Sequence, residues 1–548
     1  MEFNYRFFGG SAVSHSATQS ELSFAPDTLR EPTYFVAELA QHLPFRESIS
    51  ALNAVVVSDL RFHPKDRTEY FEWLKQHEQH LLADYLAQQQ VVNRRIDEVR
   101  SGLADVRKQQ SKVMAPYYKA QNAYFKWLYK HDYDAWFVLD PVITVHPDQV
   151  MFECFSQDES AYGCLSCNYD VFKNITDHAY GTTNIDYSAG LYNEFQKIRD
   201  YRKTELKIDP TGFAVATTGS EQFIEEKIDL PESWVRGFLQ VSSAMTLPMV
   251  EADLHTMDIH NLLFQLKRNK ERHGPRSLRF QLLPGQPVKV TLEPWEHAIT
   301  FHRSIYQGTE EREIRIWGRR RLFMLERLLP YARQFKMRLL GTGLPSFFIA
   351  DLGDLRFTLG LSGWTSNDWS RMGEFNLMTS RDDVDTETKA MVFKQLQKCW
   401  AASTDQLAAS LKLERSVIIS ALSAYSQTGK VIYDLAADVF RCRELSRNPL
   451  PVDALRFASP QEEKAQRFLK AHLVKLKQKK AYADGIKVVG QVTDNGKLLP
   501  VELVIDGDRR LTQATCECSH YIRNKLYKGP CEHILALRLL QAEQGSES

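Results

Sequence analysis

Four side chains near the carboxyl end offer the donor set of a metal site. Cys516 and Cys518 stand one residue apart, a twelve-residue connection follows, and Cys531 comes one residue before His533. Three thiolates and one imidazole suit tetrahedral Zn2+, and four protein ligands leave no position for a catalytic water. The chemistry expected of them is structural, with Zn2+ as the cofactor. A reduced pair of buried thiols beside an unrelated histidine is the competing reading; the donor types and their spacing favour one closed zinc site. His520, inside the connection, could stand in for a cysteine, but reads more readily as an exposed loop histidine.

Such a site needs elements that bring the two ligand pairs together. The run Ile534, Leu535, Leu537, Leu539 and Leu540 has helical spacing, so Cys531 and His533 open a helix, and Gly529 and Pro530 turn the chain into it. Upstream, GIKVVGQVTDNGKLLPVELVID alternates as paired strands, and Leu511 to Cys518 carries the sheet into the first ligand pair. Strands, Cys-x-Cys, a variable loop, Cys-x-His and an apolar helix together resemble the SWIM zinc finger. The resemblance spans about the last sixty residues. It implies a module that occurs in transposases, helicase-like ATPases and bacterial conflict systems.

Basic side chains gather around this module. Pro460 to Lys480 reads as a basic helix ending in Lys475, Lys477, Lys479 and Lys480. Arg509, Arg510, Arg523, Lys525 and Lys528 extend the series to the finger, with Tyr521 and Tyr527 interleaved as stacking groups. A nucleic-acid backbone fits such a surface; a solvated basic face is the plainer alternative. Over the whole chain the 69 basic and 69 acidic residues cancel, so net charge points to no partner. Eight cysteines in 548 residues are too few for a disulfide scaffold. The segment MEFNYRFFGG lacks the basic flank and apolar run of a signal peptide, and stretches such as Ala54 to Val57 are too short to span a bilayer. A cytoplasmic protein with no membrane attachment is expected.

The fold class expected is an α+β multidomain chain. Its divisions are an extended or mixed segment at 1–66, a long helical coiled-coil arm at 67–138, two copies of a β-β-α-β-β unit at 139–260 and 261–380, a winged-helix-like unit at 381–445, and a basic helix plus the finger at 446–548. The arm rests on steps of three and four from Leu82 to Val113, and serves either as an internal hairpin or as an oligomer or partner arm. In the second copy IRIWGRRRLFMLERLLPYARQF should run into a helix, and the two copies form either two α+β modules or one pseudo-symmetric sheet with helices on one face. Arg319, Arg320 and Arg321 at that helix start call for a counter-anion, or else lie in a solvated turn. Cys154, Cys164 and Cys167 are short of a full ligand set and read as buried strand thiols rather than a second metal site. Within 381–445, helices at Thr386 to Trp400 and Ser416 to Gln427, a short helix capped by Thr404, and the hairpin VIYDLAADVFRC follow winged helix-turn-helix order. Arg415 and Lys412 would meet phosphates or bases there, unless that surface packs on protein.

Enzyme motifs are missing. There is no G-x-x-x-x-G-K-[ST], no G-x-G-x-x-G after a strand, no H-E-x-x-H and no G-x-S-x-G. Asp351, Asp354, Asp382, Asp383 and Asp385 look like turn and cap residues rather than paired carboxylates. No enzyme is expected. The whole arrangement, with the segment LLGTGLPSFFIADLGDLRFTLGLSGWTSNDWSR, resembles the SWIM proteins of bacterial MoxR-vWA-SWIM ternary systems. That resemblance implies an adaptor working beside a MoxR-type AAA+ ATPase and a von Willebrand A-domain protein. The expected function is zinc-dependent, non-catalytic recognition of nucleic acid, a partner protein or both. A nuclease-like enzyme and a purely protein-binding scaffold are the alternatives.

Overall fold

The computed structural model describes residues 12–15, 19–24, 33–58, 142–184, 192, 195–196, 198–201, 203–208, 232–270, 276–364, 369, 384–445, 459–482, 485–507, 510–526 and 529–546. The expected coiled-coil arm lies outside them. The account below concerns the unit made of residues 1–58 and 139–548.

The first module comprises β1 (Ala12–His15), β2 (Gln19–Phe24), β3 (Tyr34–Leu39), α1 (His42–Val56), β4 (Val142–Val145), β5 (Gln149–Phe155), β6 (Ala161–Asn168), β7 (Phe172–Ala179), β8 (Gly181–Asn184) and β9 (Lys203–Ile208). After α2 (Glu232–Met245), the second module is two motifs in series. One is β10 (Val250–Leu254), α3 (Thr256–Arg268), β11 (Leu278–Leu282), β12 (Pro287–Leu292) and β13 (His297–Ile305). The other is β14 (Arg312–Ile316), a 3-10 helix (Arg319–Leu328), β15 (Gln334–Leu339), β16 (Ser346–Asp351) and β17 (Leu355–Leu361). Each motif lends its first strand to the other: β10 pairs with β15 and β14 with β11, both antiparallel. The first module repeats this exchange, since β3 pairs with β9 while β8 pairs with β4.

The two modules meet in one eight-stranded sheet, β10-β15-β16-β17-β6-β5-β4-β8, joined where β17 and β6 run antiparallel. Phe45 of α1, Leu262 of α3 and Leu325 of the 3-10 helix pack into the core on one face, with Phe152 and Phe357. Trp234 and Phe238 of α2 pack on the other face, with Phe155, Tyr162 and Phe347. Strands covered on both sides must be apolar at nearly every position, and β5 is buried throughout.

Three expectations are corrected here. The repeat runs β-α-β-β-β rather than β-β-α-β-β, helices cover both faces of the shared sheet, and Val250–Leu254, assigned by its sequence to the first copy, pairs into the second. A leading strand whose partner sits in another motif has no local pattern to reveal it. The IRIWGRRR segment gives a strand and a 3-10 helix, because Gly318 at φ 81° turns the chain between them.

Next come α4 (Thr386–Cys399), β18 (Ala401–Ala402), α5 (Thr404–Leu411), α6 (Arg415–Gln427), β19 (Val431–Asp434) and β20 (Val439–Cys442). Ser403, not Thr404, caps α5, in a reciprocal capping box with Gln406. Asp385 caps α4 by accepting from the Thr388 amide at 2.8 Å. The β19–β20 hairpin is fastened to the eight-stranded sheet by arginines. Arg441 donates to Asp434 (2.9 Å) and Asp148 (2.7 Å), Arg443 to Glu153 and Ser242 (2.7 Å each), and Arg338 to Asp438 (2.6 Å).

The terminal module holds α7 (Pro460–Lys470), β21 (Val474–Tyr482), β22 (Gly485–Asp494), β23 (Lys497–Ile505), β24 (Leu511–Cys516), α8 (Ser519–Asn524) and α9 (Glu532–Ser546). The four strands form a sheet in sequence order. Val488, Val492, Val501 and Leu503 of the sheet bury against Ile534 and Leu537 of α9, and Ala465 of α7 joins them. The expected helix from Pro460 to Lys480 is therefore half right: it stops at Lys470, His472 turns at φ 53°, and the lysine run becomes β21. Val474 and Leu476 alternate with lysines, a period of two that a partner strand rewards. No helix among the described residues is long and apolar enough to cross a membrane.

Candidate metal centre

β24 ends at Cys516, and two residues later Cys518 caps α8, its sulfur accepting from the Tyr521 amide at 3.4 Å. Tyr521 turns back to donate its hydroxyl to the Ala514 carbonyl, which fixes α8 against the strand. Gly529 at φ 83° brings the chain round to Cys531, just ahead of α9, and His533 lies in that helix's first turn. The sulfur atoms of the three cysteines and a ring nitrogen of His533 all fall within 4.8 Å of one another. Cys531 and His533 are buried.

The imidazole is oriented from outside the ligand set. Nε2 of His533 lies 3.3 Å from Oδ2 of Asp494, at the end of β22, and Phe468 of α7 stacks on the ring at 5.3 Å. Nδ1 is buried with no hydrogen-bond partner. A ring nitrogen grouped with three thiols, and a carboxylate against the same imidazole, is the arrangement of a zinc-bound histidine. Without an ion, Cys531 and Cys518 are held towards the protonated form. Hydrogen bonding with Cys516, then burial, pushes Cys531 up to about 12, and burial chiefly raises Cys518. A divalent cation reverses this by stabilising each thiolate, so loading releases protons and weakens as pH falls. The residues fit Zn2+, and its contribution is structural: it ties β24, α8 and α9 together.

The basic residues divide into separate sets. Lys475, Lys477, Lys479 and Lys480 are all exposed on β21, an edge strand of the terminal sheet. Arg523 and Lys525 are exposed on and just after α8, with Lys525 Nζ 5.2 Å from the centroid of the Tyr521 ring. Arg510 is half-buried where its amide donates to Asp506 at 2.8 Å. Lys412 and Arg415 belong to the three-helix unit instead, where Arg415 pairs with Asp405 at 2.8 Å. Arg509 and Lys528 lie outside the described residues, as do Tyr527, Asp382 and Asp383.

Other expectations resolve within the body. Cys164 and Cys167 sit three apart on β6 and so face opposite sides of the sheet, Cys164 towards α2 and Cys167 towards α1. They cannot share an ion, and among the described residues the terminal quartet is the one cluster with metal-binding geometry. The arginine triplet finds protein partners. Buried Arg319 donates to the carbonyls of Glu293 and Ser277 and lies 5.0 Å from the Trp295 ring, and buried Arg321 pairs with Asp158 of the first module. The sequence offered Phe468 only as an apolar packing position and did not point to Asp494. The Asp494-Asn495-Gly496 turn was a usable signal, since a tight hairpin fixes where its flanking carboxylate points.

Proliferating cellular nuclear antigen from Entamoeba histolytica is similar at 9% identity and TM-score 0.28, covering 41% of this chain and 89% of that one. The corresponding antigen from Thermococcus kodakaraensis matches at 10% identity and TM-score 0.27, over 42% and 92%. That of A. fulgidus, bound to the C-terminal region of FEN-1, matches at 12% identity and TM-score 0.27, over 42% and 91%. At these TM-scores the likenesses carry no inference about this chain. No curated protein matches it. Residues 501–538, which contain all four ligands, match the SWIM zinc finger: the chain ends in a SWIM module built around Zn2+.

Proposed function

We propose that the protein is a non-catalytic recognition component whose zinc-ordered terminal module binds nucleic acid through its phosphates. The observation that carries this reading is the row of Lys475, Lys477, Lys479 and Lys480, exposed along the edge strand of the same sheet that delivers Cys516 to the metal. Lysines held by a strand make phosphate contacts without ordering a loop, and each contact releases counterions. Arg523 and Lys525 add cations beside the zinc. A second component of the reading follows from the resemblance to ternary-system SWIM proteins: the body serves as an adaptor for a MoxR-type ATPase and a von Willebrand A-domain protein.

Edge lysines also discourage strand-to-strand association, so the test must distinguish the two roles. Labelled single- and double-stranded DNA and RNA are titrated at two salt concentrations with the zinc-loaded chain and with a variant carrying Gln at the four lysines. Binding that weakens with salt, and a salt slope reduced by about 3 in the variant, supports phosphate contact. Affinity untouched by salt and by the four substitutions would sink the nucleic-acid reading and leave a protein adaptor, tested by co-purification with the two expected partners.

A further inference from the structure

Where the three-helix unit faces the edge of the eight-stranded sheet there is a cavity of about 600 Å³, a size that suits a small ligand. Phe393, Gln397 and Trp400 face it from α4 and its C-terminal end, Tyr180 from the turn between β7 and β8, and Lys430 and Glu444 from either end of the β19–β20 hairpin. Four residues and then three separate the α4 side chains, which places them along one stripe of the helix.

Trp400 is the unusual member. It closes α4 at φ 63° and ψ −34°, where a bulky L-residue is strained and glycine is the common choice. The surroundings hold it there. Its amide donates to Leu396 O at 2.8 Å, its carbonyl accepts from the Cys442 amide at 2.9 Å, and His146 meets the indole edge-on at 6.2 Å. Tyr180 also meets the indole edge-on, at 5.6 Å. A glycine would end the helix without strain, so what the tryptophan adds is an aromatic plate fixed in the cavity wall.

We propose that this cavity binds a nucleobase carrying a phosphate. The indole and Tyr180 offer stacking surfaces, Gln397 both donates and accepts, Glu444 accepts from a ring or exocyclic N–H, and half-buried Lys430 answers the phosphate. A quaternary ammonium would answer Glu444 but leave Lys430 without an anion. A wholly apolar ligand would desolvate Gln397 and Glu444 without replacing their hydrogen bonds. The site is independent of the terminal module.

Isothermal titration of the zinc-loaded full chain with adenosine, guanosine, cytidine and uridine 5′-monophosphates tests it, alongside Lys430→Glu and Trp400→Gly. Binding of at least one nucleotide is expected, weakened about tenfold or more by Lys430→Glu, which removes a charge-assisted contact. Trp400→Gly should abolish binding while a cooperative thermal transition remains, since the relieved backbone offsets part of the lost ring packing. Trp400→Phe, which keeps a ring, should retain measurable affinity. Competition by a short single strand separates a free nucleotide from a base presented by a polymer. The proposal fails if none of the four nucleotides binds. It fails equally if Lys430→Glu and Trp400→Gly leave binding unchanged, or if the four-lysine β21 variant abolishes it.

Discussion

The terminal module and the junction beneath the β19–β20 hairpin both bury polar groups, by opposite means. In the module, three thiols and an imidazole converge on one point, and as thiolates they call for a cation bound directly among them. At the junction the charges are encoded in pairs: Arg443 with Glu153, both fully buried, and Arg441 with Asp434. The first arrangement makes folding conditional on an ion. The second makes docking of the hairpin conditional only on the chain itself. It also uses up the part of the three-helix unit, the hairpin, that would otherwise be free to lie against a nucleic-acid duplex.

The largest effect should come from removing the ion. A Cys516→Ser/Cys531→Ser variant should contain no zinc and lose an association worth about 10–16 kcal/mol in zinc-finger peptides. Amide exchange should then accelerate across 459–546 while the second module at 250–361 keeps its protection. Zinc retained at full stoichiometry, or exchange accelerating equally in both regions, would break the contrast.

At the junction, Arg443→Met strands Glu153 in the core and should cost about 3–5 kcal/mol in chemical denaturation. Adding Glu153→Met should restore much of that loss. If the double variant is as unstable as the sum of its parts, the pair is not what fastens the hairpin.

The smallest effect concerns His146, which is fully buried with both ring nitrogens unpartnered, near Arg441, Asp434, Arg443 and the Trp400 ring. Burial, then the charge of Arg441, lowers its pKa from 6.5 to about 3. The unfolded chain therefore binds the extra proton first, and stability falls as pH drops from about 6.5 towards 3. His146→Leu should flatten this limb in melts run across that window, and should change stability by less than about 1 kcal/mol at neutral pH. An unchanged acid limb would mean that other groups carry the loss.

How much could be read in advance depended on range. The zinc ligands were legible because their spacing is local and their chemistry restricted. The β22–β23 hairpin was legible through its alternation around Asn495 and Gly496. The β21 lysines misled because a charged run suits a helix until a neighbouring strand supplies partners. Arg443 and Glu153 lie 290 residues apart, and nothing near either one announces the other. Trp400 gave no warning because left-handed backbone at a tryptophan arises from the packing around it, not from the residue itself.

The exchange of leading strands has a consequence in time. β3 is complete at residue 39, but its partner β9 begins at residue 203. At about 5–20 residues per second, synthesis leaves that edge waiting for roughly 8–33 s. The whole of 59–138 emerges within that interval. In the second module β10 ends at 254 and β15 starts at 334, so the wait is about half as long. The amino-terminal module is thus the portion of the nascent chain most exposed to misassociation, and the portion on which a ribosome-associated chaperone would have most to act.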